Sequence, residues 1–337
     1  MKESNNRDAS IDILRFIALS GLILAHTAPP PIFLQLRSFD VPMMVFLSGV
    51  AFSLSSGNKA TYSTYVWKRF KRLILPMWIF VIMYTVFTIA IGNGFPGLTK
   101  LLFEYAIPIM NNWYTWIIRV FFIIALVAPL VSKYVSKIAL SQYWYISLIT
   151  LVIYESLCWL STNSTYINII MNISYILIFS LGIMVHRISN KELFIISTIA
   201  FTAFLILSIF ISYEKGHFII TGNYKYPPKI YYISYAIGAT TLLYQFRKQI
   251  EKIIYGFSKF KVDKICSFIG SHTIWIYFYH ILMLDIFYDK LHWSIRYIIV
   301  YTSSILLASC QDTLAYYIMN KIGNDNVKKN INIIFRG

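Results

Sequence analysis

His26, Arg15 and Asp12 stand in one apolar stretch, "RDASIDILRFIALSGLILAHT" (7–27). At membrane depth each ionisable group of this kind costs about 2.5 to 3.5 kcal/mol, so a function has to be sought for them. Positions 12, 15, 19, 22 and 26 are three and four residues apart, which puts the three side chains on one face of a helix of 3.6 residues per turn. The remaining surface is apolar, so the polar stripe is expected to face the interior of a bundle or a water-filled cavity. At 1.5 Å of rise per residue His26 lies about 24 Å up its helix and about 16 Å above Arg15. Arg119, in "NNWYTWIIRVFFIIALVAP" (111–129), lies about 9 Å below the outer end of a helix that enters near Trp113. His280, in "GSHTIWIYFYHILML" (270–284), lies about 21 Å up a helix that starts near Cys266, so His26, Arg119 and His280 are expected in one layer. Arg15 falls near the inner leaflet, where Asp312 is a partner within reach. A local pair with Asp12, three residues before it, is the plainer arrangement.

A neutral imidazole takes a proton from an alcohol as that alcohol attacks an activated acyl group. His26 is therefore a candidate general base for acyl transfer, with an acyl-histidine intermediate as the alternative route. The donor would have to bring its acyl carbon to His26 while cations hold its anionic end. A coenzyme A thioester has that form. Arg69 and Arg72, in "KRFKRLILP", suit bidentate phosphate contacts, although the same basic run is also an ordinary topology signal. An extended pantetheine arm of about 15–20 Å, scaled from ~3.3–3.6 Å per extended residue, would run past Arg15 to His26. Glu155 and Asp312 have a plain structural reading as hydrogen-bonding groups. No HExxH, Walker loop, G-x-S-x-G elbow or zinc-spaced Cys/His cluster occurs, so no metal is expected and hydrolase or nucleotide-driven chemistry loses support.

The elements that must position these groups are membrane helices. The 337 residues are 58% hydrophobic and 13% charged, with a mean hydropathy of +0.62. Stretches long enough to cross a ~30 Å hydrocarbon core recur along the chain, and about ten spans are predicted, at 10–28, 39–55, 74–92, 113–131, 143–160, 168–187, 193–212, 229–245, 266–285 and 296–318. A net charge of +16 raises the possibility of nucleic acid, but the distribution of the basic residues speaks for topology instead. With the N-terminus inside, roughly 21 Lys/Arg fall in inner loops and tails, roughly 6 in outer loops and roughly 3 within spans, the positive-inside pattern. The expected fold is an all-α polytopic helix bundle with both termini cytoplasmic, a transmembrane domain over 1–320 and a polar cytoplasmic tail over 321–337. Asp12 and Arg15 interrupt any leader-type apolar region, so the first helix is expected to stay. Cys158, Cys266 and Cys310 are scattered and read as packing residues.

In order along the chain, "IDILRFIALSGLILAH", "FDVPMMVFLSGVAF", "KRFKRLILP", "NNWYTWIIRVFFIIALVAP" and "IGSHTIWIYFYHILML" resemble the family-3 integral-membrane acyltransferases, of the kind that O-acetylate O-antigen and capsular polysaccharides. The resemblance rests on Arg15 and His26 with ten residues between them, on Ser48-Gly49, on the Arg69/Arg72 pair followed by Pro76, and on Tyr277 and His280. It implies an inner-membrane enzyme of a bacterial cell that moves an acyl group, usually acetyl, from a cytoplasmic coenzyme A thioester to an extracytoplasmic carbohydrate hydroxyl. His26 and Arg15 would be catalytic, and Arg15 would also join Arg69 and Arg72 in holding the donor. Arg119, His280, Tyr277 and Ser48 would shape the acceptor chamber, with Asp12 and Asp312 as charge partners. No tightly bound cofactor is expected; the partners would be acyl-coenzyme A, a glycan acceptor and lipid. Met43, Met44 and Val45 stand where the family often has a Phe pair. No appended esterase-like domain is found, so the acceptor would meet the membrane domain directly. Two rivals remain: a glycan exporter or flippase, which needs no coenzyme A site, and the same chemistry with a succinyl donor.

Overall fold

Helix α1 (Ala9–His26) starts where Asp8 caps it, the carboxylate accepting from the Ser10 amide at 3.1 Å, and stops at the proline run 29–31, which cannot donate the next backbone hydrogen bonds. Burial opposes ionisation of Asp8, but hydrogen bonds from Ser10 and Lys248 hold its carboxyl below the ordinary value. The computed structural model describes residues 8–54, 61–92, 94–106, 114–161, 164–288 and 290–336. After α1 come α2 (Pro31–Leu36), α3 (Asp40–Leu54), α4 (Tyr62–Ala90), α5 (Trp116–Val135), α6 (Leu140–Leu160), α7 (Ser164–Met184), α8 (Asn190–Lys215) and α9 (Ile230–Gln245). The chain continues through α10 (Arg247–Gly256), α11 (Val262–Ser271), α12 (Thr273–Phe287), α13 (Trp293–Lys321) and α14 (Asp325–Ile331). No strand occurs among the described residues, and the molecule is an all-α polytopic bundle.

Among the described residues eight helical segments are long and apolar enough to cross a membrane, or nine if a bent pair is one span. The predicted span 266–285 is that pair: α11 and α12 meet at His272 with a bend of 88°. The predicted span 229–245 is α9, whose 16 residues rise only about 24 Å, short of a ~30 Å core. Long apolar side chains on α8, such as Ile206, Ile209 and Phe210, are exposed, as a lipid-facing surface requires.

Helix α1 runs through the middle, with Leu14, Ala18, Leu19 and Ile23 fully buried among α3, α11, α12 and α13. Two close crossings hold the centre together. On the α3–α7 crossing, a methyl group at Gly49 would strike the Phe179 carbonyl and one at Gly182 the Phe46 carbonyl. On the α1–α11 crossing, a methyl group at Gly270 would strike the carbonyl of Asp12. Small residues at such positions let backbones approach where lipid supplies no hydrophobic drive.

The polar stretch after Lys321 folds back on the bundle. Trp275 Nε1 donates to the Ile334 carbonyl at 2.9 Å, Gln311 Nε2 to that of Phe335 at 2.9 Å, and Lys71 Nζ to Asn330 Oδ1 at 2.8 Å. Glu155 accepts the backbone N–H of Ile230, which serves the open N-terminus of α9.

Candidate active site

The α1 stripe points inward. Arg15 and Asp12 pair at 3.1 Å, with the Asp12 side chain buried. Both line a cavity of about 620 Å³ together with Arg69 and Arg72 from α4, Ser48 from α3 and Tyr277 from α12. Three guanidinium groups therefore share one concave space, with the carboxylates of Asp12 and Asp8 also in its wall. The 88° break at His272 helps to make that space, since Gly270, Ser271, Thr273 and Ile274 around it are part of the wall. The Arg69 guanidinium also lies 5.2 Å from the centre of the Tyr65 ring.

Tyr277 also lines the cavity, and its ring centre is 4.8 Å from that of His280. His26 is not part of the cavity lining. It is paired with His280, which is not part of the lining either, with His26 Nδ1 2.7 Å from His280 Nε2 and the two rings nearly parallel. His280 Nδ1 lies on the Tyr277 carbonyl oxygen. A carbonyl only accepts, so His280 carries its proton on Nδ1 and presents a bare Nε2. That nitrogen accepts from His26, which fixes the His26 proton on Nδ1. His26 Nε2 is then left with a free lone pair, the form a general base requires. Tyr114 closes one side, its ring edge-on to His26 at 5.2 Å, and the Tyr277 hydroxyl donates to the Tyr114 carbonyl.

The remaining expected residues fall at different places around this site. Arg119 is buried on α5 and directs its guanidinium to Met171 Sδ on α7, at 3.7 Å, in electrostatic range of Tyr175 and Tyr226. Asp312 does not partner Arg15. It accepts from Arg336 Nε at 2.5 Å and pairs with His272 Nε2 at 3.1 Å, because the C-terminal stretch returns to α13 and supplies a nearer cation. Ser48, expected beside the acceptor, shares the arginine-lined cavity, its hydroxyl donating to the Met44 carbonyl at 2.9 Å. Trp113 lies outside the described residues.

Residues 8–310 match the family profile described as an acyltransferase domain. The chain belongs to the acyltransferase-3 family. This multi-pass membrane acyltransferase gives no match among curated proteins or among solved structures.

The acyltransferase also carries charges near the histidines that sequence reading did not single out. Arg37 and Asp40 form a pair at 2.5 Å with the Asp40 side chain fully buried. Lys225, 8% exposed, holds its ammonium 5.3 Å from the ring centre of Trp116 and 5.5 Å from that of Tyr226. Both Lys225 and Arg37 act electrostatically on His26. The signal available in advance was weak: Arg37 and Asp40 are i and i+3 before an apolar run, and Lys225 reads as one of several loop cations.

Proposed function

We propose that this acyltransferase moves an acyl group, acetyl in the first instance, from a cytoplasmic coenzyme A thioester to a hydroxyl of a cell-surface polysaccharide or of its lipid-linked precursor. The observation that carries the reading is the ordered proton chain from the Tyr277 carbonyl through His280 to His26, joined through Tyr277 to a cavity that Arg15, Arg69 and Arg72 also line. The arginines would take the phosphates of the donor by paired N–H contacts, and the pantetheine arm would fill the space up to Tyr277.

At the reacting centre His26 Nε2 removes the proton of the acceptor hydroxyl as the oxygen attacks the thioester carbonyl. The C–O bond forms, the tetrahedral intermediate collapses with loss of the C–S bond, and the proton on Nε2 passes to the departing thiolate. His280 stays neutral throughout and accepts the Nδ1–H bond, which strengthens when His26 becomes cationic. The Tyr277 ring stands between cavity and histidines, so the acyl end has to pass it. In this reading the enzyme sits in the inner membrane with the arginine end cytoplasmic, and donor and acceptor enter from opposite sides.

Binding of acetyl-coenzyme A to the purified protein and NMR of the cell-surface glycan test the proposal. Arg69→Ala/Arg72→Ala should weaken donor binding by tenfold or more, on the scale of about 1.5–3 kcal/mol for a charged hydrogen bond. His26→Ala should retain donor binding and lose glycan acylation. A protein that binds no acyl-coenzyme A overturns the reading in favour of an exporter.

A further inference from the structure

Near the histidine pair, Arg37 Nε and the hydroxyls of Tyr175 and Tyr232 are buried without a hydrogen-bond partner among the described residues, and the Lys225 ammonium beside them faces the Trp116 and Tyr226 rings. Tyr175 is 0% exposed and Tyr232 1%, so bulk water does not serve their hydroxyls. They share one neighbourhood. Tyr232 interacts electrostatically with Tyr175, Asp40, Arg37 and Tyr226, and Lys225 with Asp40 and Arg37. Both cations of the group act on His26.

The only carboxylate in this group is Asp40, and it is already taken. One of its oxygens meets Arg37 Nη1 at 2.5 Å and the other accepts the Val41 amide at 2.6 Å. Lys225 therefore has two aromatic faces for its charge and no hydrogen bond from its ammonium to an oxygen among the described residues. Burial pushes its amine down to about 8, with Asp40 opposing. Buried polar groups in native proteins are nearly always satisfied, and a cluster in which every unpartnered group is able to donate suits a ligand rich in acceptor oxygen.

We infer that Lys225, together with Arg37 Nε and the Tyr175 and Tyr232 hydroxyls, forms a binding site for an anionic oxygen beside His26. Its source depends on the acyl-transfer reading: either the oxyanion that forms as the thioester carbonyl is attacked, or a carboxylate or phosphate borne by the acceptor. The Trp116 and Tyr226 rings, 5.1 Å apart and edge to face, bound the site with apolar surface.

The test uses the full chain in nanodiscs and the variants Lys225→Met and Lys225→Arg. One arm measures thermal stabilisation by sodium glucuronate against glucose at matched ionic strength. The other measures acetyl-coenzyme A turnover with water or a neutral sugar as acceptor. For an acidic acceptor, glucuronate stabilises the wild type and glucose does not; Lys225→Met abolishes the difference and Lys225→Arg keeps it. For an oxyanion, Lys225→Met lowers kcat by tenfold or more at unchanged KM for acetyl-coenzyme A, and Lys225→Arg restores most of it. Lys225→Met behaving as wild type in both arms overturns the inference. If Lys225→Met does not elute as folded protein, Lys225→Gln takes its place under the same criteria. A wild type without any turnover refutes acyl transfer, and the glucuronate arm then decides the site alone.

Discussion

His26 Nδ1 lies 2.7 Å from His280 Nε2, and the far nitrogen of His280 is committed to a backbone carbonyl. The direction of every proton in that chain follows from the one group that cannot donate, the Tyr277 carbonyl. A second histidine here does the work that a carboxylate does in other catalytic pairs: it fixes which nitrogen of the base is free.

His280→Phe should therefore lower acyl transfer by about 10² or more while acetyl-coenzyme A still binds, because His26 loses the acceptor that sets its tautomer. His280→Gln, whose side-chain oxygen also accepts, should recover part of the rate. Single-turnover kinetics beside a donor-binding isotherm separate the two effects, and a purely structural role for His280 would reduce both together.

The Tyr277 ring lines the cavity and touches His280, with its hydroxyl tied to the Tyr114 carbonyl. Tyr277→Ala removes that barrier. Hydrolysis of acetyl-coenzyme A in the absence of any sugar should rise several-fold, followed as free thiol; a rate no higher than that of the wild type would mean that Tyr277 does not separate donor from base.

Gly49 and Gly182 face each other's helices with no room for a side chain. Either one changed to Ala forces α3 and α7 apart, at a cost of about 1–3 kcal/mol by the measure of overpacked cores. The melting temperature in detergent should fall by several degrees in each variant. In the double variant the two losses should fall short of adding, since one separation relieves both contacts.

Lys225 titrates at about 8 in the folded protein against 10.5 ordinarily. Below pH 8 it is charged in both states and the folded protein bears the full cost of burying it. Between 8 and 10.5 the unfolded chain holds a proton that the folded one has shed, so stability rises with pH. Lys225→Met lifts a cost on the order of 3 kcal/mol. It should melt above the wild type at pH 7 and lose most of that advantage by pH 10; equal melting temperatures at pH 7 would contradict the burial cost.

The α1 stripe was legible because helical periodicity fixes which side chains share a face, and the Asp12–Arg15 pair follows from the same spacing. The meeting of Arg15 with Arg69 and Arg72 was legible too, since depth along a helix follows from rise per residue. The bend at His272 was not. Hydropathy averages over a window and is blind to direction, and only the small polar run Gly270-Ser271-His272-Thr273 marks the place. Nor could spacing give Asp312 its true partner, for Arg336 arrives from a segment that looked like a solvated tail. The Lys225 site escaped for a related reason: burial of a loop cation depends on how a non-helical connection packs, which no period encodes.

The returning segment bears on how the protein is made. Residues 332–336 are synthesised after every helix they touch, so Arg336 reaches Asp312 and the Ile334 carbonyl reaches Trp275 only once α4, α12 and α13 have been made. A chain released early, after Ile331, would insert all of its apolar segments and pass a simple check for membrane integration. It would nonetheless hold an indole N–H and a carboxylate without these mates, a defect that quality control in the cell would have to detect from the water side.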